Sequence, residues 1–151
     1  MRNIPAGVAV HFVRAFDDTQ RNDEWLLGCP DTYAELPQKT RYAFRYALKV
    51  YPDCPCFFKC DDDTYVDIPR LLKFVDTNPG DYCGHAMAHE WPAFASGGAG
   101  YLLSRKAAAI VAEQLTDLTG PEDLLVSMVL LNNQIPLTPT KLFHPWNNLT
   151  P

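Results

Sequence analysis

The segment Cys56-Phe57-Phe58-Lys59-Cys60 runs directly into Asp61-Asp62-Asp63, with Thr64-Tyr65-Val66-Asp67 after it. An aromatic, apolar run that ends in three carboxylates reads as a buried strand delivering its acidic end to a cleft. Three adjacent anions repel one another and lose hydration wherever they are covered. The cluster therefore makes most sense beside a divalent cation that also takes oxygen ligands such as phosphates. A solvated acidic turn is the alternative, and the triplet alone does not choose between them.

Around this strand the pattern alternates. Gly7 to Arg14 is β-branched enough for a strand, Asp17 and Asp18 close it, and residues 17 to 24 read as a polar turn. Pro30-Asp31-Thr32 offers a helix start, and Pro37 to Val50 predicts the best helix of the first half, ended by Pro52. Pro69 falls in the first turn of a helix carrying Leu71, Leu72, Phe74 and Val75, which Asn78-Pro79-Gly80 stops. Asp81 to Met87 predicts a strand, and Gly97-Gly98-Ala99-Gly100 a glycine loop opening onto Tyr101-Leu102-Leu103. Helices follow over residues 105 to 116 and from Pro121 to Asn132, with Lys141 to His144 as a last short strand. Strands alternating with helices predict one α/β domain over residues 1–151, with a mostly parallel central sheet flanked by helices.

Composition fits that picture: 151 residues at 47% hydrophobic content suit one domain, which would bury roughly 70% of its unfolded surface. A net charge of −5 with no basic run argues against a nucleic-acid partner. No apolar stretch is long enough to span a bilayer, and Met1 to Ala6 lack the layout of a signal peptide, so the sequence as written reads as soluble and cytoplasmic. The five cysteines, Cys29, Cys54, Cys56, Cys60 and Cys83, imply neither a zinc site nor a full disulfide set. Most are expected to be buried thiols; one disulfide from Cys54 or Cys56 to Cys29 or Cys83 stays open for an oxidising compartment.

Taken jointly, four segments resemble the inverting family 31 glycosyltransferases, which include the β-1,3-galactosyltransferases, the core 1 synthase type and Fringe. They are Phe57 to Val66, Ser96 to Arg105, Glu122-Asp123-Leu124 and Phe143-His144-Pro145, preceded by Asp31-x-Tyr33-x-x-Leu36-x-x-Lys39-Thr40. Their order and spacing agree over roughly residues 8 to 146. The resemblance implies a GT-A fold and transfer of a hexose or N-acetylhexosamine from a UDP-sugar to an acceptor hydroxyl on a glycan, glycoprotein or glycolipid, forming a β-1,3 linkage.

The residues can be read for each requirement of that chemistry. In the resemblance the triplet is the metal (DxD) motif: Asp63 is a direct ligand of Mn²⁺ or Mg²⁺, Asp61 assists through water or the donor, Asp62 supports it, and His144 is a second protein ligand. An acceptor hydroxyl must lose a proton as it attacks, and the resemblance places that base on Asp123, the second acid of the pair, with Glu122 orienting its neighbours. Asp123 also opens a predicted helix, where a carboxylate has an ordinary capping role. Gly97, Gly98 and Gly100 let backbone approach sugar and phosphate, and Trp91 is the favoured sugar contact, whereas Tyr101 reads equally well as core.

Family members begin with an additional strand and an Arg-containing helix, and carry a membrane anchor and stem further upstream. This chain starts almost at the second strand, so uridine binding is the role most exposed to that difference. Asp17 and Asp18 are candidates to face the base or ribose, and a Golgi lumen location follows if the chain is a fragment of a longer protein. The sequon Asn148-Leu149-Thr150 is followed by Pro151 and is a poor glycosylation site. Three alternatives compete: a non-catalytic UDP-sugar or glycan-binding remnant; a phosphohydrolase using Asp61 and Asp63, disfavoured by Tyr65; and a calcium loop, disfavoured by Val66 in place of glycine.

Overall fold

A computed structural model describes residues 4–15, 23–30, 32–87, 92–116 and 119–144. Asp17, Asp18, Asp31, Trp91 and the sequon lie outside the described residues. Strand β1 (Phe12–Ala15) pairs in parallel with β2 (Glu24–Leu27). A 3₁₀ turn, Tyr33–Glu35, then leads into helix α1 (Leu36–Val50). Pro37 sits in the first turn of α1, where a missing N–H forfeits no helical hydrogen bond. The helix buries Thr40, Phe44 and Ala47 along one stripe. At its other end the Arg105 guanidinium donates to Tyr51 O at 2.9 Å and Leu48 O at 3.4 Å, which places a cation on the carbonyl end of the helix.

Strand β3 (Cys56–Lys59) is followed by helix α2 (Ile68–Val75), whose N-cap Asp67 accepts from Arg70 N–H at 3.0 Å. The chain then forms β4 (Tyr82–Gly84), β5 (Ala86–Met87), β6 (Phe94–Ala95) and β7 (Tyr101–Ser104). Helix α3 (Arg105–Gln114) starts on Ser104, whose hydroxyl accepts from Ala107 N–H at 3.2 Å; α4 (Glu122–Asn132) and β8 (Thr138–Pro139) complete the order.

The main sheet runs β3-β7-β4-β8. Its residues alternate between two cores, as period-two side chains require. Tyr101 and Leu103 of β7 and Tyr82 of β4 join Phe44, Val111, Val126 and Leu130 of α1, α3 and α4 on one face. Leu102 and Cys83 join Phe143, with Phe58, Leu71, Phe74 and Val75 packed around them, on the other. The described residues form a mixed α/β fold with four helices, three on one face of the sheet and α2 on the other.

The sheet departs from the mostly parallel arrangement expected. β7 lies antiparallel to both β3 and β4, and only β4–β8 is parallel within it. The cause lies between β4 and β7, where the described residues hold no helix. Parallel neighbours need a crossover, usually a helix, whereas here the chain turns back through the antiparallel β5–β6 ribbon. That ribbon also splits the strand expected over Asp81 to Met87. β1 begins later than expected, at Phe12. β2 occupies the end of the stretch read as a polar turn, because Trp25, Leu26 and Leu27 follow it and pair with β1. The last strand is Thr138–Pro139 rather than Lys141 to His144, where the chain bends.

Two cysteines, Cys29 and Cys83, are buried, and Cys54, Cys56 and Cys60 are only half-buried. The Cys54 thiol donates to Cys56 O at 3.0 Å and the Cys83 thiol to Pro79 O at 3.1 Å, so neither is half of a cystine. Burial, helped by Asp81, pushes the Cys83 thiol up to about 11. Beside β1, His11 stacks on Trp25 at 4.1 Å and its Nε2 lies 2.6 Å from the Tyr51 hydroxyl. His11 Nδ1 is buried with no hydrogen-bond partner among the described residues. Burial holds this imidazole below its ordinary value, against the opposing pull of Asp23.

Candidate active site

β3 ends at Lys59, and the acidic triplet follows within two residues, as the apolar run required. Opposite Lys59 in the β3–β7 register stands Tyr101, the residue that follows the glycine loop. The N-terminus of α4 meets the same corner. A shallow cleft of about 100 Å³ opens there, lined by Tyr33, Leu36, Lys59, Asp61, Gly97, Gly98, Glu122 and Asp123. Five of the residues singled out in the sequence, Asp61, Gly97, Gly98, Glu122 and Asp123, therefore share one site.

The two acids that open α4 have different surroundings. Glu122 is 4% exposed. One of its oxygens accepts from Lys59 Nζ at 3.3 Å, and the other accepts the Tyr101 hydroxyl. Asp123 is only half-buried; its Oδ2 accepts from Gly97 N–H at 3.0 Å and its Oδ1 from Leu124 N–H at 2.9 Å. Each carboxylate oxygen has about two lone-pair sites, so these bonds leave acceptor capacity toward the cleft.

Lys59 joins the acidic strand end to this helix, donating also to Asp61 Oδ1 at 3.1 Å. Burial alone would lower its pKa, but the charges of Glu122 and Asp61 outweigh it and hold the ammonium above the ordinary lysine range. Tyr101, with no exposed surface, is carried well above the usual phenol value by burial and then by the Glu122 charge. It is a core residue, as one reading of the sequence held, and it also anchors Glu122.

The glycines divide by function. A Cβ on Gly97 would lie 3.4 Å from both Asp123 Oδ2 and Glu122 Oε2, and one on Gly98 would lie 3.5 Å from Asp61 Oδ2. Both thus face the acids. Gly100 does not line the cleft: it is buried, with φ at +82°, and a Cβ there would meet Phe58 Cζ at 2.5 Å and Lys59 O at 2.9 Å. Its smallness serves the contact with β3. Thr64 Oγ1 donates to Gly98 O at 2.8 Å and ties the loop to the segment after the triplet.

The resemblance implies a divalent cation. Asp62, Asp63 and His144 are exposed and Asp61 is half-buried, so oxygen and imidazole donors of suitable type are present. They are not gathered into a cage: among the described residues no group of three or more His, Cys, Asp or Glu side chains is arranged to hold a metal ion. Asp61 is engaged by Lys59, and the His144 ring lies 6.3 Å from that of His85. Asp63 and His144 are donors of suitable chemical type carried on separate segments of the chain.

Sequence reading passed over Lys59, Tyr33 and Leu36 as cleft residues. Lys59 lay inside an apolar run, and a charged residue in such a run was the available signal.

Residues 17–88 match the model of the galactosyltransferase family, so the resemblance is shown over the segment that holds α1, Lys59 and the acidic triplet. The glycine loop, Asp123 and His144 fall beyond that match. Among individual proteins, glycoprotein-N-acetylgalactosamine 3-beta-galactosyltransferase 1 of Xenopus laevis is 40% identical over 86 residues, 54% of this chain. The chain spans about a quarter of that relative's length, 24%. Among the described residues no helix is long and apolar enough to cross a membrane.

Proposed function

We propose that this chain is a glycosyltransferase domain that moves a hexose or N-acetylhexosamine from a UDP-sugar to an acceptor hydroxyl, by an inverting and metal-dependent reaction of the family 31 type on a GT-A-like fold. The observation that carries the reading is the meeting of Asp61, the Gly97-Gly98 backbone and Asp123 in one cleft. That meeting supplies a donor side and an acceptor side within one site.

Asp123 is the base. Both acids line the cleft, but Asp123 is the more exposed and has no cation on it among the described residues, whereas Glu122 is 4% exposed and ion-paired with Lys59. The acceptor hydroxyl gives its proton to a free lone pair of Asp123 as its oxygen bonds to the anomeric carbon. The bond from that carbon to the phosphate oxygen breaks on the opposite face, the electron pair leaves with UDP, and the anomeric configuration inverts to β. Asp63 and His144, with Asp61 and Asp62 in support, would hold Mn²⁺ or Mg²⁺, whose charge offsets that of the departing diphosphate when bound. Gly97 and Gly98 admit the sugar beside the acids, and Tyr33, 80% exposed at the cleft mouth, offers a ring face.

The name of the Xenopus relative makes UDP-galactose the first donor to test, a glycoprotein N-acetylgalactosamine the first acceptor and a β-1,3 linkage the expected product. A binding-only remnant is the second reading, favoured by a cleft smaller than the ~300–1,000 Å³ of most small-molecule sites. Calorimetric titration of UDP with and without Mn²⁺, beside Asp63→Asn, comes first. The transferase reading expects metal-dependent binding that the variant loses, followed by transfer from UDP-galactose. Binding without turnover selects the remnant, and no binding by folded protein rejects both.

A further inference from the structure

We infer that Lys59 is a positioning residue that sets where Asp123 stands relative to the acidic end of β3; this rests on the reading of Asp123 as base. Helix α4 lacks the usual means of fixing its first turn, because its N-cap is Pro121, which makes no side-chain cap. Placement of that turn therefore falls to the side chains of Glu122 and Asp123. Glu122 is anchored to the sheet at two points, Lys59 Nζ of β3 and the hydroxyl of Tyr101 in β7. Lys59 and Tyr101 are directly opposed in the register, so the two anchors move as one unit.

Asp123, the next residue, carries that placement to the cleft through Gly97 N–H. Lys59 also holds Asp61 Oδ1, so a single ammonium spans the donor-side acid and the helix that bears the base. Without it, Glu122 is a buried carboxylate left with one neutral partner, an arrangement that is strongly unfavourable. The carboxylate then turns toward water and carries the first turn of α4 with it. Asp61 stays at the end of a paired strand, so the separation between the two sides of the site changes.

The test compares wild type, Lys59→Met and Lys59→Arg by amide hydrogen exchange at Gly97, which reports the bond to Asp123 whether or not sugar is transferred. Lys59→Met should lose at least tenfold of Gly97 protection, and Lys59→Arg should keep most of it. Under transfer conditions the methionine variant should lose at least tenfold in kcat with donor KM changed less than threefold, and arginine should restore most of the rate. Unchanged Gly97 protection in folded Lys59→Met overturns the inference, whatever the rate does. If Lys59→Met does not fold, Lys59→Gln, which keeps a polar side chain but still leaves the Glu122 charge without a cation, carries the same expectation and the same refutation. A wild-type protein that transfers from no UDP-sugar defeats the proposed reaction, while the exchange comparison still decides the role of Lys59.

Discussion

Gly100→Ala should destabilise the fold by about 3 kcal/mol, and two contributions from the structure give that figure. At φ +82° the residue sits where a Cβ costs roughly 1–2 kcal/mol. The added carbon would also meet Phe58 Cζ at 2.5 Å, Lys59 O at 2.9 Å and Cys60 Cβ at 3.0 Å. Phenylalanine can tilt, but a backbone carbonyl inside a paired strand gives little. Overpacking of this kind costs roughly 1–3 kcal/mol. At an m value of about 2 kcal/mol/M, urea unfolding should shift its midpoint down by roughly 1.5 M. The melting temperature should fall by about 6–12 °C for a chain of this size. Gly98→Ala is the control: that residue is exposed and its Cβ would lie 3.5 Å from Asp61 Oδ2, an ordinary contact. A Gly100→Ala midpoint within 0.2 M of wild type, read beside the control, would refute the claim that this glycine serves the β3–β7 contact.

Asp123→Asn should leave UDP binding unchanged by calorimetry and lower kcat by roughly 10²–10⁴, the range of general-base catalysis; full transfer by this variant defeats the assignment. Gly97→Ala should fold normally, since its Cβ meets only ordinary contacts at 3.4 Å, yet reduce transfer by crowding Asp123; equal rates in a coupled UDP-release assay would show that the space is unused. The depressed His11 pKa makes the unfolded chain bind more protons between the folded value and about 6.5. Stability attributable to His11 is thus fully present above that pH and lost as pH falls through the folded value. Melting curves at pH 7.5 and 5.5 should show a loss that His11→Phe reduces, and an identical pH slope in the variant counts against this.

Legibility in the sequence followed the reach of each signal. Helix α1 was plain from Pro37, its buried stripe and Pro52, all local features. So was the strand into the triplet, because Phe57 and Phe58 face opposite cores and both needed to be apolar. β2 was missed because its strand character comes from pairing with β1, a partner ten or more residues away that local polarity concealed. The mixed sheet was missed because pairing direction is set by the path of the chain between strands, not by the strands themselves. At the site, acids and glycines announced themselves by type. Gly100 was assigned to the cleft on the strength of its neighbours, and only the position of Phe58 shows that it faces inward. The charge of Lys59 within an apolar run marked it as unusual, but its partner could not be read locally, because it is Glu122, sixty-three positions later.

The direct opposition of Lys59 and Tyr101 across two antiparallel strands has a consequence for how this chain can vary. Side chains on a strand alternate in direction, so a shift of β3 by one position would turn Lys59 toward the α2 face and bring Phe58 to the acids. The ammonium would leave Glu122, an aromatic ring would enter the cleft, and both cores would exchange members together. Single exchanges at these positions grade the site by degrees; a one-residue insertion or deletion in the strand removes it in one step. Length, more than composition, should be the property held fixed between Pro55 and Asp61.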